Sequence, residues 1–471
     1  MGLNKIGNIV NLLAIRPRSF KSYNSVLRKR EKQIKKIVIY AYYHSEFYRN
    51  LYNLHKIDIN NFKIQDLPIV TKNDILTYYD KVLTNNEISY EEVCNFVNNG
   101  ETSLLKGKYG VFSSGGSSGV RCHIPYDEKG LYTVNALTVL RSGLVKLGLR
   151  QRIAFLGGVN HTNNTGSLKK NGIFKNQVQI ETLPLFISED EVIERLNQFQ
   201  PSTIAAYSYM IRNLAVQKIS GKLRANPSRL RCGGTPFSQN DKQIVKEAFG
   251  TLPYENYGAS ESLLIASDCK IHEGMHINED CYFVEFLDTK DKSLGDLRLS
   301  EGILVTNLYN KIFPLIRYKF DDRIVYSEGK CKCGSSFRKI VTVKGRENDF
   351  FVFYSSDKKE HQIHPIEFSN RILKIPSVKE YRLIQDKPDG LVIHISAKEV
   401  NECGELSNTI TDIISTYLLA TIGRKVPIEI KYFNELKKDS VSGKLVPFIT
   451  MSKWRFFQDK IEQTFSQRHI Q

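Results

Sequence analysis

From about residue 109 to 310 the chain alternates short apolar runs with helix-patterned stretches. Ile153-Ala154-Phe155-Leu156, Thr203-Ile204-Ala205-Ala206-Tyr207 and Gly302-Ile303-Leu304-Val305 read as strands, and 189–199 and 238–249 read as helices. Such alternation predicts α/β layering with mainly parallel strands. The last ~125 residues have a different grammar, with strands at 391–396 and 427–432 separated by a helix at about 402–419. That order predicts a small α+β domain, and the junction falls near Gly345-Arg346, a short polar stretch between two strand-like runs. Before the alternation, residues 25–56 read as helices rich in Tyr (Tyr40, Tyr42, Tyr43, Tyr48, Tyr52), and Thr71 is placed to cap a helix that begins near Asn73. No internal repeat of 20–50 residues is evident.

At 471 residues, 41% apolar and 25% charged, the chain is too long for one typical domain and too ordinary in composition for disorder or collagen. The net charge of +17 is uneven. Residues 1–60 hold twelve Lys/Arg against three Asp/Glu, a net of +9. In the run Arg28-Lys29-Arg30-Glu31-Lys32 with Lys35-Lys36, the apolar residues Ile34, Ile37, Val38 and Ala41 recur at helical spacing, so the cations read first as a solvated helix face. Peripheral membrane contact through residues 1–60 is the secondary reading, and no nucleic acid is expected. No run reaches the ~18–20 apolar residues needed to span a bilayer. Asn8–Ile15 is short and followed by Arg16-Pro17-Arg18, unlike a secretory signal. A soluble, cytoplasmic protein is expected. Eight cysteines are sparse for this length and argue against a disulfide scaffold. Nothing in the sequence addresses oligomeric state.

The most informative stretch is Tyr109-Gly110-Val111-Phe112-Ser113-Ser114-Gly115-Gly116-Ser117-Ser118-Gly119, a strand-like run opening into seven small residues. Glycine lets the backbone approach a ligand closely, and successive N–H groups with the hydroxyls of Ser114, Ser117 and Ser118 can surround phosphate oxygens. The spacing fits neither a Walker A loop nor a G-x-G-x-x-G fingerprint. Taken alone, the stretch is equally a flexible surface loop.

Four further segments follow in order: Tyr257-Gly258-Ala259-Ser260-Glu261, Arg317-Tyr318-Lys319-Phe320-Asp321-Asp322, Gly345-Arg346-Glu347-Asn348-Asp349 and Ser440-Val441-Ser442-Gly443-Lys444. With them the chain resembles the adenylate-forming superfamily of acyl-CoA synthetases, adenylation domains and luciferases. The nearest resemblance is to its branch of phenylacetate–CoA ligases and capsular polysaccharide adenylate-forming proteins. Tyr43-His44-Ser45-Glu46-Phe47-Tyr48 and Leu67-Pro68-Ile69-Val70-Thr71-Lys72 are similar to that branch's opening signature. The resemblance spans essentially the whole chain. It implies a large N-terminal ATP- and acyl-binding domain of layered sheets and helices over residues 1–345, opening with the basic, Tyr-rich helical segment 1–75. A small, mobile α+β lid domain over 346–471, carrying Lys444, would complete it.

The resemblance also implies roles. Ser114, Gly115, Gly116, Ser117, Ser118 and Gly119 would hold the β- and γ-phosphates of ATP. Tyr257, with Gly258 behind it, would pack on adenine, and Ser260 would contact the α-phosphate. Glu261 would help hold Mg²⁺, a hard cation that favours oxygen ligands. Asp322 would accept from the ribose hydroxyls, Arg346 would lie near ribose and phosphate, and Asp349 would be the hinge. Lys444 would bridge the attacking carboxylate and the α-phosphate, offsetting the repulsion of two anions. Two departures stand out: Val120-Arg121-Cys122 replaces the family's Gly-x-Pro after the loop, and Asp321 occupies a place usually taken by a small residue.

Cys331-Lys332-Cys333-Gly334 and Cys269-Lys270-Ile271-His272 together offer two or three sulfurs and an imidazole, enough for a closed tetrahedral Zn²⁺ site of structural kind, with His276 as the substitute for His272. Reduced, partly buried cysteines are the plain alternative. For the acyl pocket the expected residues are His161 in the polar loop Gly157–Asn164, Tyr207, and Gly233-Gly234. The expected chemistry is an AMP-forming ligase that joins ATP and a carboxylic acid to an acyl-adenylate and passes the acyl group to CoA. An amine acceptor, for example on an amino sugar in capsule synthesis, is the alternative. A non-catalytic nucleotide-binding relative is another.

Overall fold

The computed structural model describes residues 22–99, 104–113, 122–144, 150–157, 178–183, 189–234, 239–294, 296–346, 350–363, 377–387, 390–397, 403–436 and 448–451, with isolated positions between them. The chain divides into two compact units, and among the described residues the division falls between Lys344 and Gly345.

The larger unit is built on a twelve-stranded sheet. Numbered along the chain, β1 (Gly110–Ser113) and β2 (His123–Tyr126) form a separate hairpin. The sheet comprises β3 (Gln151–Leu156), β4 (Val178–Leu183), β5 (Thr203–Tyr207), β6 (Arg229–Gly233), β7 (Tyr254–Tyr257), β8 (Ala266–Asp268), β9 (Met275–Ile277), β10 (Tyr282–Leu294), β11 (Leu297–Asn307), β12 (Tyr318–Phe320), β13 (Asp322–Ser327) and β14 (Lys339–Arg346). Their order is β10-β11-β13-β14-β9-β8-β7-β6-β5-β3-β4, with β12 also on β11.

The expectation of mainly parallel strands holds for one half only. β4, β3, β5, β6 and β7 run parallel. Helices 189–199, 208–219 and 239–249 lie between successive strands from β4 to β7, giving the long crossovers that parallel pairing needs. From β7 onward the connections shorten and the pairs β7–β8, β8–β9, β9–β14, β10–β11, β11–β12 and β11–β13 are antiparallel. Thr71 caps the helix Lys72–Thr77 in a capping box with Asp74.

Helix Tyr23–His44 buries Ile34, Ile37, Val38 and Ala41 and leaves Arg28, Lys29, Lys32, Lys35 and Lys36 exposed, so those cations form the solvated face. Arg30 is the exception. Its Nη1 donates to Glu279 Oε1 at 2.8 Å, and its guanidinium lies 4.8 Å over the Phe283 ring. Arg338 Nε donates to the same oxygen at 2.7 Å. Glu279 is fully buried, so its carboxylate sits between two guanidiniums and anchors the helix to the sheet. No helix among the described residues is long and apolar enough to cross a membrane.

The smaller unit holds the hairpin β15 (Phe351–Tyr354) and β16 (Glu360–Ile363) and a four-stranded sheet of β17 (Val378–Ile384), β18 (Leu391–Ala397), β19 (Ile428–Tyr432) and β20 (Phe448–Ile449), ordered β19-β18-β17-β20. Helix Cys403–Ile422 packs Ile410, Ile414 and Leu418 against Leu383, Ile393 and Ile395 of that sheet. This is the α+β unit expected from the pattern, with its strands and helix close to the anticipated bounds.

Candidate active site

Strand β7 ends at Tyr257, and the chain turns sharply before returning as β8. Gly258 is the residue that permits the turn: a Cβ there would lie 1.5 Å from the Leu263 carbonyl oxygen. Leu263 itself sits at φ +53° and donates its N–H to Ala259 O. Glu261 is 7% exposed on this turn. Three tyrosines support it from behind. Tyr126 Oη donates to Glu261 O at 3.3 Å, and Tyr282 Oη donates to Ser262 O. Tyr282 and Tyr309 share a hydroxyl contact of 2.6 Å. Burial pushes all three phenols well above their ordinary value, so they remain protonated.

The turn is joined to the segment around Asp322. Tyr257 Oη donates to Asp322 Oδ2 at 2.8 Å, and both residues are buried. The neighbouring Asp321 is about half exposed and pairs with Lys319 Nζ at 3.2 Å. Of the two adjacent carboxylates, Asp322 is the one that faces Tyr257. Just upstream, Arg317 makes a forked pair with Glu285, Nε–Oε2 3.1 Å and Nη2–Oε1 3.0 Å. Val70 N–H donates to Arg317 O at 3.1 Å and Lys319 N–H to Val70 O at 2.9 Å. The opening signature Leu67–Val70 therefore packs on the Arg317–Asp322 segment.

The ends of β5 and β6 reach the same edge of the sheet as Tyr257. Gly233 lies beside Tyr207 of β5 and Asn256 of β7. Gly234, at φ +78°, fits under the Tyr207 ring, which a Cβ there would approach to 2.9 Å. Ligands of open α/β sheets sit at the carboxyl ends of parallel strands, and this is such an edge. The structure thus gathers Tyr207, Gly233, Gly234, Tyr257 and Gly258 at one edge, with Asp322 bonded to Tyr257. Ser260 lies on the turn itself. The loop Ser114–Gly119, His161, Asp349 and Lys444 lie outside the described residues, and Arg346 is described only as the last backbone position of β14.

Two residues of this region escaped the sequence reading, Arg231 and Asn256. The available signal was Arg231 itself, a second charge in Arg229-Leu230-Arg231-Cys232-Gly233, the core of a parallel sheet.

The cysteine cluster forms, with one correction. Cys269, His276, Cys331 and Cys333 bring their ligand atoms within 4.8 Å of one another. Cys269 Sγ lies 3.9 Å from Cys331 Sγ, and Cys333 Sγ lies 3.3 Å from His276 Nε2. A tetrahedral zinc with ordinary Zn–S bonds puts its sulfurs roughly 3.8 Å apart, so the set fits. His276 Nδ1 contacts Phe337 O at 3.0 Å, which leaves Nε2 as the lone-pair nitrogen facing the sulfurs. His272, the expected ligand, is elsewhere. It occupies a tight turn at φ +57°, its Nδ1 lies 2.6 Å from Asp268 Oδ2, and its ring packs on Tyr254. Burial, with Cys333 and Cys331 adjacent, pushes the Cys269 thiol up to about 12, while burial pushes the His276 imidazole down.

No family model matches the chain. A phenylacetate-coenzyme A ligase of Thermus thermophilus is 24% identical over 389 residues, covering 79% of this chain and 81% of that protein. Protein CapK of Staphylococcus aureus is 20% identical over 391 residues, covering 79% and 78%. Among solved structures, 2-hydroxyisobutyryl-CoA ligase in its postadenylation state superposes with a TM-score of 0.68 over 95% of this chain and 94% of that one, at 14% identity. The chain therefore has the adenylate-forming ligase fold.

Proposed function

We propose that the protein is an AMP-forming ligase that activates a carboxylic acid with ATP and hands the acyl group to CoA. The observation that carries this reading is the Tyr257–Asp322 hydrogen bond. It unites two sequence motifs at the ligand-accepting edge of a sheet whose fold is that of acid–CoA ligases. The acid's carboxylate oxygen attacks the α-phosphorus, pyrophosphate leaves, and an acyl-adenylate results. The CoA sulfur then attacks the acyl carbonyl, its proton is lost, and AMP departs.

In this reading the Tyr257 ring receives adenine, and Asp322, already oriented by the tyrosine hydroxyl, accepts from the ribose. Ser260 contacts the α-phosphate. Ser114–Gly119 and Arg346 bind phosphates, and the 346–471 region turns about Asp349 to supply the Lys444 ammonium. Glu261 would hold Mg²⁺, which when bound screens the phosphate charge. The tyrosine-supported turn keeps that carboxylate in place without reorganisation. Cys269, His276, Cys331 and Cys333 would hold a structural Zn²⁺ joining the segment after β8 to the segment before β14. An amine in place of CoA is the alternative acceptor, and a thiol-dependence assay separates the two.

The test is pyrophosphate release from ATP and Mg²⁺ across a panel of acids, with and without CoA. Lys444→Ala should lower adenylation by about 10²–10³-fold, the usual loss for a fixed transition-state charge, while ATP binding persists. Adenylate formed at an unchanged rate in that variant would remove Lys444 from the mechanism, and no pyrophosphate with any acid would remove the ligase reading.

A further inference from the structure

Strand β6 has two unlike faces. Leu230 and Cys232 point into the apolar cluster with Ala154, Leu156 and Ile204. Arg229, Arg231 and Gly233 project from the other face. There the register sets Phe155, Ala205, Arg231 and Tyr254 in one row across β3, β5, β6 and β7. The next row toward the strand ends holds Tyr207, Gly233 and Asn256. Ala205 and Gly233 flank Arg231 with almost no side chain, and Tyr257 follows Asn256 directly.

The first arginine of this face is accounted for. Arg229 lies over the Tyr254 ring at 5.8 Å and donates to Gly143 O at 3.5 Å. Arg231 is not. Among the described residues its buried Nε has no hydrogen-bond partner, and no carboxylate acts on it. Burial pushes the guanidinium down to about 10, still a cation at neutral pH. Asn256 presents the complementary defect. Its Nδ2 donates to Ser142 O at 3.1 Å and to Tyr254 O at 3.2 Å, and its buried Oδ1 has no donor among the described residues. Arg231 is partly buried, and a buried N–H without an acceptor is costly, as is an unmet carbonyl. Here both lie on adjacent rows of one sheet face, at the edge where the acid should enter.

We infer that Arg231 and Asn256 receive the far end of the substrate, so that the acid activated here carries a second carboxylate, held by the Arg231 guanidinium, and beside it a hydroxyl that donates to Asn256 Oδ1. The planar fork of arginine matches a carboxylate in two parallel bonds. The inference rests on the ligase reading above and narrows its substrate class.

The test compares matched acids with the full chain, ATP and Mg²⁺: succinate against butyrate, glutarate against valerate, and malate against succinate. Pyrophosphate release is read for the wild type, Arg231→Met and Arg231→Lys, alongside melting temperature and calorimetric titration of malate. Diacids should exceed monoacids by about 100-fold in kcat/KM, the scale of a desolvated charge pair, with malate ahead of succinate. Arg231→Met should collapse that ratio about 100-fold through KM, Arg231→Lys should restore part of it, and neither should melt below wild type. Equal turnover of monoacids, or a diacid preference that survives Arg231→Met, overturns the inference. So does a lowered melting point in Arg231→Met, because it would make the arginine structural. Turnover of 3-phosphonopropionate above succinate refutes the carboxylate assignment. If no acid releases pyrophosphate, the ligase reading fails. Titration then decides the site alone: malate binding lost in Arg231→Met supports it, and binding unchanged or absent in wild type refutes it.

Discussion

Removing the metal proposed at Cys269, His276, Cys331 and Cys333 has a consequence that can be sized from chain topology. The cluster joins Cys269 to Cys331 across 62 residues. Closing a loop of that length in the unfolded chain is worth about 4 kcal/mol at 25 °C, by the same entropy that a disulfide exploits. In a unit of this size 1 kcal/mol moves the melting temperature by about 1.5 °C, so loss of the cross-link should lower it by ~6 °C. The assay is scanning calorimetry with metal content determined on the same samples. Wild type should carry one zinc per chain, whereas chelated protein, Cys333→Ser and His276→Ala should lack it and melt early. His272→Ala provides the internal contrast, since its ring is bonded to Asp268, and it should keep its metal. A metal-free wild type purified from zinc-supplied cells would refute the reasoning. Equal melting of Cys333→Ser and wild type, or zinc loss from His272→Ala, would do so as well.

Gly258→Ala places a methyl 1.5 Å from a backbone oxygen, which no side-chain rotation can relieve. It should destabilise the larger unit by about 3 kcal/mol, read from the denaturant midpoint, and an unchanged midpoint contradicts the turn described here. In the smaller unit, His394 lies between Arg382 and Lys431 on adjacent strands, with the Phe433 ring 4.6 Å away. Burial first, then those two cations, pushes its imidazole down, with Glu429 opposing. A histidine depressed in the folded state binds its proton more readily when unfolded, so its contribution is complete above about pH 6.5 and declines as pH falls below it. His394→Gln should flatten the dependence of unfolding on pH between about 7 and 5, and superimposable profiles would exclude the effect.

Much of this architecture was legible because its determinants are local. The helices at 189–199 and 239–249, the strands around 153–156 and 203–207, and the Thr71 cap all follow from periodicity and capping chemistry. What escaped was decided by long-range register. His272 lies two residues beyond the Cys269-Lys270 pair, a spacing typical of ligand pairs. His276 joins the cysteine cluster because β9 places it opposite Lys339 on β14, next to the Cys333 segment. The antiparallel half of the sheet was unforeseen for a related reason: short apolar runs look alike whichever way they pair. That Asp322, and not Asp321, bonds Tyr257 was not legible either, because the two motifs lie 65 residues apart in sequence. Arg231 was overlooked because a charge flanked by apolar residues says nothing of its opposite partners until neighbouring strands are known.

The anchoring of helix Tyr23–His44 through Glu279 also bears on biosynthesis. The helix leaves the ribosome ahead of the sheet, and the carboxylate that secures Arg30 is made 249 residues later. At ~5–20 residues per second this is a delay of roughly 12–50 s. Throughout it the Ile34–Ala41 stripe has no sheet to cover it, and the nascent chain presents a cationic amphipathic segment of the kind chaperones hold.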